Sequence, residues 1–257
     1  MNKELILESF KEIIKEGDIL VDEPMKKHTT FKLGGPVDFL IAPKNIEEII
    51  NSIKLCKENN IDYMILGNGS NLLVKDGGIK GVVIKIADNF NNIAINGEKI
   101  IVQAGTLLST LSKVALKNSL SGLEFAGGIP GTVGGAMTMN AGAYGGEVKD
   151  VVVKVKCINE NQEIVEYSNE EMNFKYRGSR VEEENLIVLE VEMLLKKANY
   201  DEIKSQVDEL NNKRTTKQPL NLPSGGSTFK RPEGHYAAQL IEEAGLKGVT
   251  HRGAQVS

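Results

Sequence analysis

Hydrophobic residues recur along this chain with two different periods. Where they stand three or four positions apart they predict helices over residues 3–16, 45–59, 107–121, 200–214 and 235–244. Asn45 is expected to cap the second helix, with Glu48 as its capping-box acid. Shorter apolar runs predict strands at 28–43, 62–66, 81–86, 99–104, 150–157, 163–167 and 185–195. These elements do not follow a regular β-α-β alternation, which indicates an α+β fold.

The most informative segment, residues 122–146, reads GLEFAGGIPGTVGGAMTMNAGAYGG and holds nine glycines. Glycine loses more conformational freedom on folding than any other residue, so this density predicts backbone that turns sharply or approaches a ligand closely. A flexible linker is the alternative, but linkers lack the Ile, Val, Met and Phe found here. A ligand cradle is therefore the favoured interpretation.

A second glycine cluster, GNGSN at residues 67–71, follows a short apolar run. Its backbone N–H groups and polar side chains would suit a pyrophosphate. Neither a dinucleotide fingerprint nor a phosphate-binding P-loop is present, since position 72 is Leu72 and no Gly-Lys-Ser/Thr follows. A hairpin turn explains this cluster equally well.

Composition and charge exclude several classes of protein. The 257 residues suffice for one large or two modest domains. A net charge of −4 argues against general nucleic-acid binding. No signal peptide or membrane span fits the sequence, and we expect a cytoplasmic protein. Cys56 and Cys157 form no disulfide framework and no metal-ligand spacing, so we expect buried, inert thiols and no metal.

Five cations without an intervening acid lie between residues 213 and 231, namely Lys213, Arg214, Lys217, Lys230 and Arg231. In a mildly acidic protein such a segment is typical of an anion site. A solvated basic face is the alternative.

Four motifs in one order carry a resemblance to a known family. They are GNGSNLLV, GLEFAGGIPGTVGGAMTMNAGAYGGEVKD, FKYRGSR and KQPLNLPSGGSTFKRPEGHYAAQLIEEAGLKG. Together they closely resemble the UDP-N-acetylenolpyruvoylglucosamine reductase (MurB) family, from about residue 24 to the end of the chain. The substrate-capping insertion of one subtype is missing, so the chain resembles the shorter subtype.

The resemblance implies a two-part FAD-binding domain of the vanillyl-alcohol-oxidase/PCMH type over residues 1–196. A smaller α/β substrate domain over 197–257 would follow it, in agreement with a change of composition near residues 196–200. It further implies a monomer with non-covalent FAD, reduced by NADPH, that converts an enolpyruvyl UDP-sugar to UDP-N-acetylmuramate for peptidoglycan precursor synthesis.

The resemblance also assigns roles to individual residues. Ser227 would donate a proton to the substrate, and Arg177 would contact the substrate carboxylate. Tyr176, Lys217 and Arg231 stand where the family contacts substrate. The residues that would bind FAD are Gly67, Asn68, Gly69, Ser70, Asn71, Gly128, Pro130, Gly131, Thr132, Gly134, Gly135, Ala141 and Gly142.

One element of the family's pattern is missing. The family completes its site with a Glu in a C-terminal segment, and no Glu of this sequence matches that motif. We expect the natural chain to continue past Ser257 and supply it, and cofactor binding to survive its loss better than turnover. Two other functions stay open: another flavin oxidoreductase of the same fold, and a non-catalytic nucleotide-binding module.

Overall fold

A computed structural model describes residues 3–257 of the chain. Its helices are α1 (Lys3–Ile13), α2 (Ile46–Glu58), α3 (Leu108–Lys117), α4 (Val133–Met139), α5 (Arg180–Glu183), α6 (Tyr200–Lys217) and α7 (Ala237–Glu243). Short 3₁₀ helices cover Met25–Lys27, Glu124–Gly128 and Val148–Asp150.

The longer strands are β1 (Asp18–Pro24), β2 (Pro36–Ala42), β3 (Tyr63–Leu66), β4 (Ile79–Lys85), β5 (Ile93–Asn96) and β6 (Lys99–Gln103), followed by β10 (Val152–Ile158), β11 (Ile164–Ser168) and β12 (Ile187–Leu194). Two-residue strands are β7 (Leu120–Ser121), β8 (Gly142–Ala143), β9 (Gly146–Glu147), β13 (Lys196–Lys197), β14 (Thr250–His251) and β15 (Ala254–Gln255).

Two sheets organise the molecule. The first has the order β1-β2-β4-β3, with β2, β4 and β3 parallel and β1 antiparallel at one edge. The second has the order β11-β10-β12-β6-β5 and is antiparallel throughout. This mixture of helices with one mixed and one antiparallel sheet confirms the predicted α+β class.

Both faces of the first sheet are buried, as is usual for parallel strands. On one face Phe39 and Ile84 belong to a large core that also takes in α1, α2 and the second sheet. On the other face Leu40 and Val83 pack with Met25 in a smaller core. The continuous apolar runs of β2 and β4 reflect this burial on two sides.

The start of α2 differs in one detail from the predicted capping box. Asn45 Oδ1 accepts a hydrogen bond from Glu48 N at 2.8 Å, so the predicted cap is confirmed. The Glu48 carboxylate instead accepts from the amides of Lys15, Glu16 and Lys44 at 2.8–2.9 Å. Burial opposes its ionisation, but these backbone donors outweigh burial and lower the pKa of Glu48. Glu48 thereby ties the end of α1 to α2.

Several predicted boundaries were wrong. The strand expected over 28–43 is confined to β2, because residues 28–34 form turns that end at Gly34 with a φ of +132°. The glycine-rich stretch is not only loop, since it contains α4, capped by Thr132. Strands β1 and β5 were not predicted. The hairpin interpretation of residues 67–71 is also wrong, because the flanking strands β3 and β4 are parallel.

Cys56 and Cys157 are buried free thiols in the large core, as predicted. Burial raises the pKa of each thiol to about 12, so neither is a nucleophile at neutral pH. Within residues 3–257 no three potential ligands converge to hold a metal, and no helix of that range has the length and apolar character to span a membrane.

Residues 200–257 contribute no buried residue to the large core, although Leu210 packs against it. Ile203 of α6 is their one buried residue in the described chain. Helix α6 packs on the 3₁₀ helix Glu124–Gly128 and on α3, so its C-terminal end lies beside the glycine-rich stretch. The domain division at residues 196–197 stays a prediction.

Candidate active site

The fold brings the two glycine clusters together. Residues 67–71 follow the carboxyl end of β3, the end of a parallel strand where ligands usually bind. Asn68 Nδ2 donates to the carbonyl oxygen of Pro130 at 2.6 Å. Gly67 lies so close to Thr132 that a Cβ built on it would stand 2.4 Å from Thr132 Oγ1. The two glycine clusters are therefore in direct contact, although more than sixty residues separate them in the sequence.

Four consecutive backbone amides in the first cluster are left without acceptors. The N–H groups of residues 68–71 donate to no other group among residues 3–257. Gly69 holds this turn with a φ of +61°, and a side chain there would collide with the carbonyl oxygen of His28 at 2.0 Å. Consecutive N–H groups without acceptors, at a turn with a positive φ, are typical of a nest that suits an anion such as a phosphate.

A cleft of about 710 Å³ opens beside this turn and between the two sheets. Tyr63 and Ile65 of β3 line one wall, and Ile187 and Val188 at the start of β12 line the other. Thr132, Gly134 and Gly135 of the second cluster lie between the walls. The lining of the cleft is about equally polar and apolar, and its volume lies within the range usual for ligand and cofactor sites.

Two glycines of the second cluster have no packing reason within the protein. A Cβ on Gly131 would meet nothing nearer than Ser70 Oγ at 3.8 Å, and one on Gly135 would lie 3.5 Å from Thr132 Oγ1. Neither residue has a positive φ. The protein could accommodate alanine at both positions, so a ligand lying against the backbone explains glycine there better than the fold does.

Other predicted cofactor residues have packing roles of their own. Gly128 lies under the Arg214 side chain, Gly134 against Ala104, and Gly142 against Glu147 in the β8–β9 hairpin. Ala141 is buried in the large core.

Arg177 occupies a tight turn that other parts of the site hold in place. Lys175 and Gly178 pair through both backbone hydrogen bonds, at 3.0 and 3.3 Å, and Tyr176 and Arg177 form the turn between them. Arg177 has a φ of +57°, an uncommon conformation for a residue with a side chain. Such strain persists where the surroundings enforce it, and it clusters at functional sites.

Asn140 connects this turn to the glycine-rich stretch. Its buried side chain donates to Glu147 Oε2 at 3.0 Å and to the carbonyl oxygen of Lys175 at 3.3 Å. Lys149 is also ion-paired with Glu147 at 2.6 Å. The hydrogen bond from Lys149 is the main cause that lowers the pKa of Glu147, and the charge of Arg177 adds to it. Lys149 is thus the ion-pair partner of Glu147, and Arg177 forms no salt bridge within residues 3–257.

Ser227 lies in an exposed loop that is attached at two points to the rest of the site. Before it, Ser224 pairs with Thr30, next to the glycine turn. After it, the Arg231 amide donates to the Tyr176 hydroxyl at 3.1 Å. The structure thus brings together the predicted residues Tyr176, Arg177 and Arg231 and the loop of Ser227.

The remaining cations differ in their surroundings. Lys217 ends α6 and is exposed, three residues after Arg214 and on the same helix face. Arg214 is half-buried over Gly128 and has no carboxylate partner among residues 3–257. Burial lowers the pKa of Arg214. The Arg231 guanidinium lies 3.9 Å from the ring centre of Tyr236.

Sequence reasoning did not identify Asn140 or Thr30 as site residues, and it named Arg214 only as one of five clustered cations. Asn140 could have been found, since Asn after a short helix is a frequent left-handed cap, and its φ is +41° here. Thr30 lies in a segment that was predicted as strand, so no signal marked it.

Family models match most of the chain. A model described as an FAD binding domain matches residues 37–168, and one described as the UDP-N-acetylenolpyruvoylglucosamine reductase C-terminal domain matches residues 218–257. UDP-N-acetylenolpyruvoylglucosamine reductase of Clostridioides difficile is 54% identical over the whole chain, which spans 84% of that relative's length. The enzyme of the same name from Clostridium botulinum (strain Hall) is 52% identical over 96% of the chain and 81% of its own length.

Solved structures agree with these matches. The reductase of that name from Thermus caldophilus superposes with a TM-score of 0.80 at 36% identity, over 94% of this chain and 85% of its own. A 6-hydroxy-D-nicotine oxidase from Arthrobacter nicotinovorans shares the fold at 17% identity, with a TM-score of 0.57 over 72% of this chain and 43% of its own. The chain belongs to the UDP-N-acetylenolpyruvoylglucosamine reductase family.

Proposed function

We propose that the protein is an FAD-dependent reductase that uses NADPH to saturate the enolpyruvyl double bond of UDP-N-acetylglucosamine enolpyruvate. The product is UDP-N-acetylmuramate, a precursor of peptidoglycan. The observation that carries the proposal is the set of contacts that link three parts. The loop of Ser227 is bonded through Thr30 to the glycine turn with its free amides, and through Tyr176 to the turn of the strained Arg177.

The residues present fit FAD. The amides of residues 68–71 would hold its diphosphate, and Gly131 and Gly135 would let its flat groups approach the backbone. Within residues 3–257 both cysteines are buried as thiols, so attachment of the flavin through sulfur is disfavoured. Bound FAD would supply the hydride, which it accepts from NADPH.

Arg177 and Ser227 would act on the substrate. Hydride addition to one alkene carbon leaves an electron pair on the other, where the neighbouring carboxylate delocalises it. The planar guanidinium of Arg177 would stabilise that developing charge through paired N–H donors. Ser227 Oγ–H would then donate its proton to the second carbon, which completes the addition of two hydrogens.

Serine is a weak acid, so its placement matters more than its acidity. A strongly basic carbanion held next to the hydroxyl compensates for the high pKa of an alcohol, provided that the donor is aligned. The two attachments of the Ser227 loop, on Thr30 and on Tyr176, support this role.

Turnover by the purified full-length protein tests the proposed function. The protein should be yellow and release its flavin when precipitated with acid. NADPH oxidation should depend on the enolpyruvyl UDP-sugar and give a product with two added hydrogens. A flavin reduced by NADPH but not reoxidised by this substrate would favour another oxidoreductase, whereas UDP-sugar binding without turnover would favour a nucleotide-binding module.

Lys217 is proposed to contact the diphosphate of the UDP-sugar, with Arg214 beside it. Lys217→Ala should weaken UDP-sugar binding about tenfold, which corresponds to about 1.4 kcal/mol, while FAD content stays unchanged. Titration at increasing salt concentration measures the effect, since a charge contact weakens with ionic strength.

The matched control for Lys217 is Lys213→Ala. Lys213 lies one helical turn before Lys217 but is ion-paired with Glu209 at 2.5 Å. Its replacement should leave UDP-sugar affinity at the parent value. Parent affinity in Lys217→Ala as well would mean that the cations of α6 form only a solvated face.

We further propose a monomeric cytoplasmic protein that binds neither nucleic acid nor membranes. The net charge of −4 supports the absence of nucleic-acid binding. The two buried free thiols fit a reducing compartment. Size-exclusion chromatography with light scattering measures the oligomeric state directly.

A further inference from the structure

Thr30 connects the glycine turn to the loop that carries Ser227. Its amide donates to the carbonyl oxygen of Gly69 at 3.2 Å, within the amide nest. Its hydroxyl donates to the carbonyl oxygen of Ser224 at 2.6 Å, and the Ser224 amide donates back to the carbonyl oxygen of Thr30 at 3.1 Å. One residue therefore bonds to both loops, although 194 positions separate it from Ser224.

Phe31 adds a packing contact at the same point. A Cβ on Gly225 would lie 2.1–2.8 Å from three atoms of the Phe31 ring, so the ring lies flush against the Gly225 backbone. Between Thr215 and Arg231, all of which the structure describes, Gly225 is the one residue that is not exposed. The loop is thus fixed upstream of Ser227 at a single place.

The position of Ser227 depends on these attachments. It stands three residues after Ser224 and four before Arg231, whose amide bonds to the Tyr176 hydroxyl. Within residues 3–257 the Ser227 side chain makes no hydrogen bond of its own. Nothing local holds the hydroxyl in place, so its distance from the glycine turn follows from the contacts of Ser224 and Gly225.

We propose that Thr30 and Phe31 are positioning residues that set Ser227 against the cofactor turn, and that they act on proton delivery rather than on flavin reduction. This inference rests on the proposed function. A positional error of about 1 Å in a catalytic group can cost about 100-fold in rate. When the attachment upstream of Ser227 is lost, only the contact between Arg231 and Tyr176, four residues downstream, still holds the loop, which leaves Ser227 free to move by that distance.

Thr30→Val tests the proposal, because valine keeps the shape of threonine and removes the hydroxyl. In the full-length flavin-loaded enzyme, reduction by NADPH should proceed at the parent rate. Reduction of the enolpyruvyl substrate should slow roughly 10- to 100-fold, with the loss in kcat and not in KM. Thr30→Ser should restore the rate. Thr215→Val removes an exposed hydroxyl that bonds within α6 and should change neither half-reaction.

A double variant separates positioning from a general loss of structure. If Thr30 acts through Ser227, Thr30→Val combined with Ser227→Ala should be no slower than Ser227→Ala alone. Multiplied losses would overturn the proposal, as would a parent rate in Thr30→Val.

Amide hydrogen exchange gives a readout that needs no turnover. The Ser224 amide should exchange faster in Thr30→Val and in Gly225→Ala, where the new Cβ collides with Phe31, but not in Thr30→Ser. Unchanged exchange in both variants would exclude the attachment. A parent enzyme that does not reduce the enolpyruvyl substrate would instead contradict the proposed function, while exchange at Ser224 would still test the attachment.

Discussion

Ser227→Ala is expected to leave flavin reduction by NADPH intact and to slow reduction of the enolpyruvyl substrate by about 10²–10⁴-fold, the usual worth of a positioned general acid. The physical reason is that alanine removes the proton donor and changes nothing in the hydride donor. Stopped-flow absorbance at the flavin band in the full-length protein measures the two half-reactions separately. Ser227 is exposed and makes no hydrogen bond to the rest of residues 3–257, so the variant should be as stable as the parent.

Thr228→Ala is the matched control for this variant. Thr228 is the adjacent hydroxyl residue in the same exposed loop, and its replacement should leave both half-reactions at the parent rate. If the Ser227→Ala enzyme is reoxidised by the enolpyruvyl substrate as fast as the parent, Ser227 is not the proton donor. If both variants are slow, the loop itself and not one hydroxyl is responsible.

Helices and strands that bury an apolar face were predictable from the sequence, because burial leaves a periodic or continuous apolar pattern. The apolar periods of α2 and α3 and the continuous apolar runs of β4 and β12 follow from packing on one or two faces. Strand β1 was missed because its residues are mostly exposed, so its pairing with β2 left no alternating pattern. The strand expected at residues 28–43 failed for a related reason: Thr29 is buried and Phe31 half-buried, but within bends and turns and not in a sheet.

The candidate site was predictable in its parts but not in its arrangement. Glycine density marked both clusters, but no local signal says that Asn68 reaches Pro130 or that Thr30 pairs with Ser224. These are contacts between distant segments, and they depend on the topology of β3 and β4. Without the resemblance to a family, Ser227 would have been one loop hydroxyl among many.

Glycine occurs in these clusters for two different physical reasons. The number of glycines in the sequence does not distinguish them, whereas the structure does. Gly69 is required by the protein itself, because its φ is positive and its neighbour is the His28 carbonyl group. Its replacement by valine would disturb the turn whether or not a cofactor binds. Gly131 and Gly135 lack such a requirement, so they report on the ligand alone.

Gly135→Ala is therefore expected to lower FAD affinity while the flavin-free protein becomes no less stable. In the cleft, the added methyl group would overlap a closely bound cofactor, at a cost of about 1–3 kcal/mol, as for an overpacked core. That cost corresponds to roughly 5- to 150-fold in affinity. Within α4, by contrast, alanine in place of glycine is favourable by roughly 0.5–1 kcal/mol.

Titration of flavin-free protein with FAD, followed by flavin fluorescence, measures the affinity, and thermal denaturation without FAD measures the stability. Gly131→Ala should behave in the same way as Gly135→Ala, since its Cβ would also have room in the protein.

The control is Gly77→Ala, at a glycine with no neighbouring atom within 4 Å and no positive φ, which should bind FAD as the parent does. Full FAD affinity in both Gly131→Ala and Gly135→Ala would mean that the cofactor does not lie against these two residues. Loss of affinity together with loss of stability in the flavin-free protein would mean that the glycines serve the fold after all. Only a loss of affinity with stability retained agrees with a cradle shaped by the ligand.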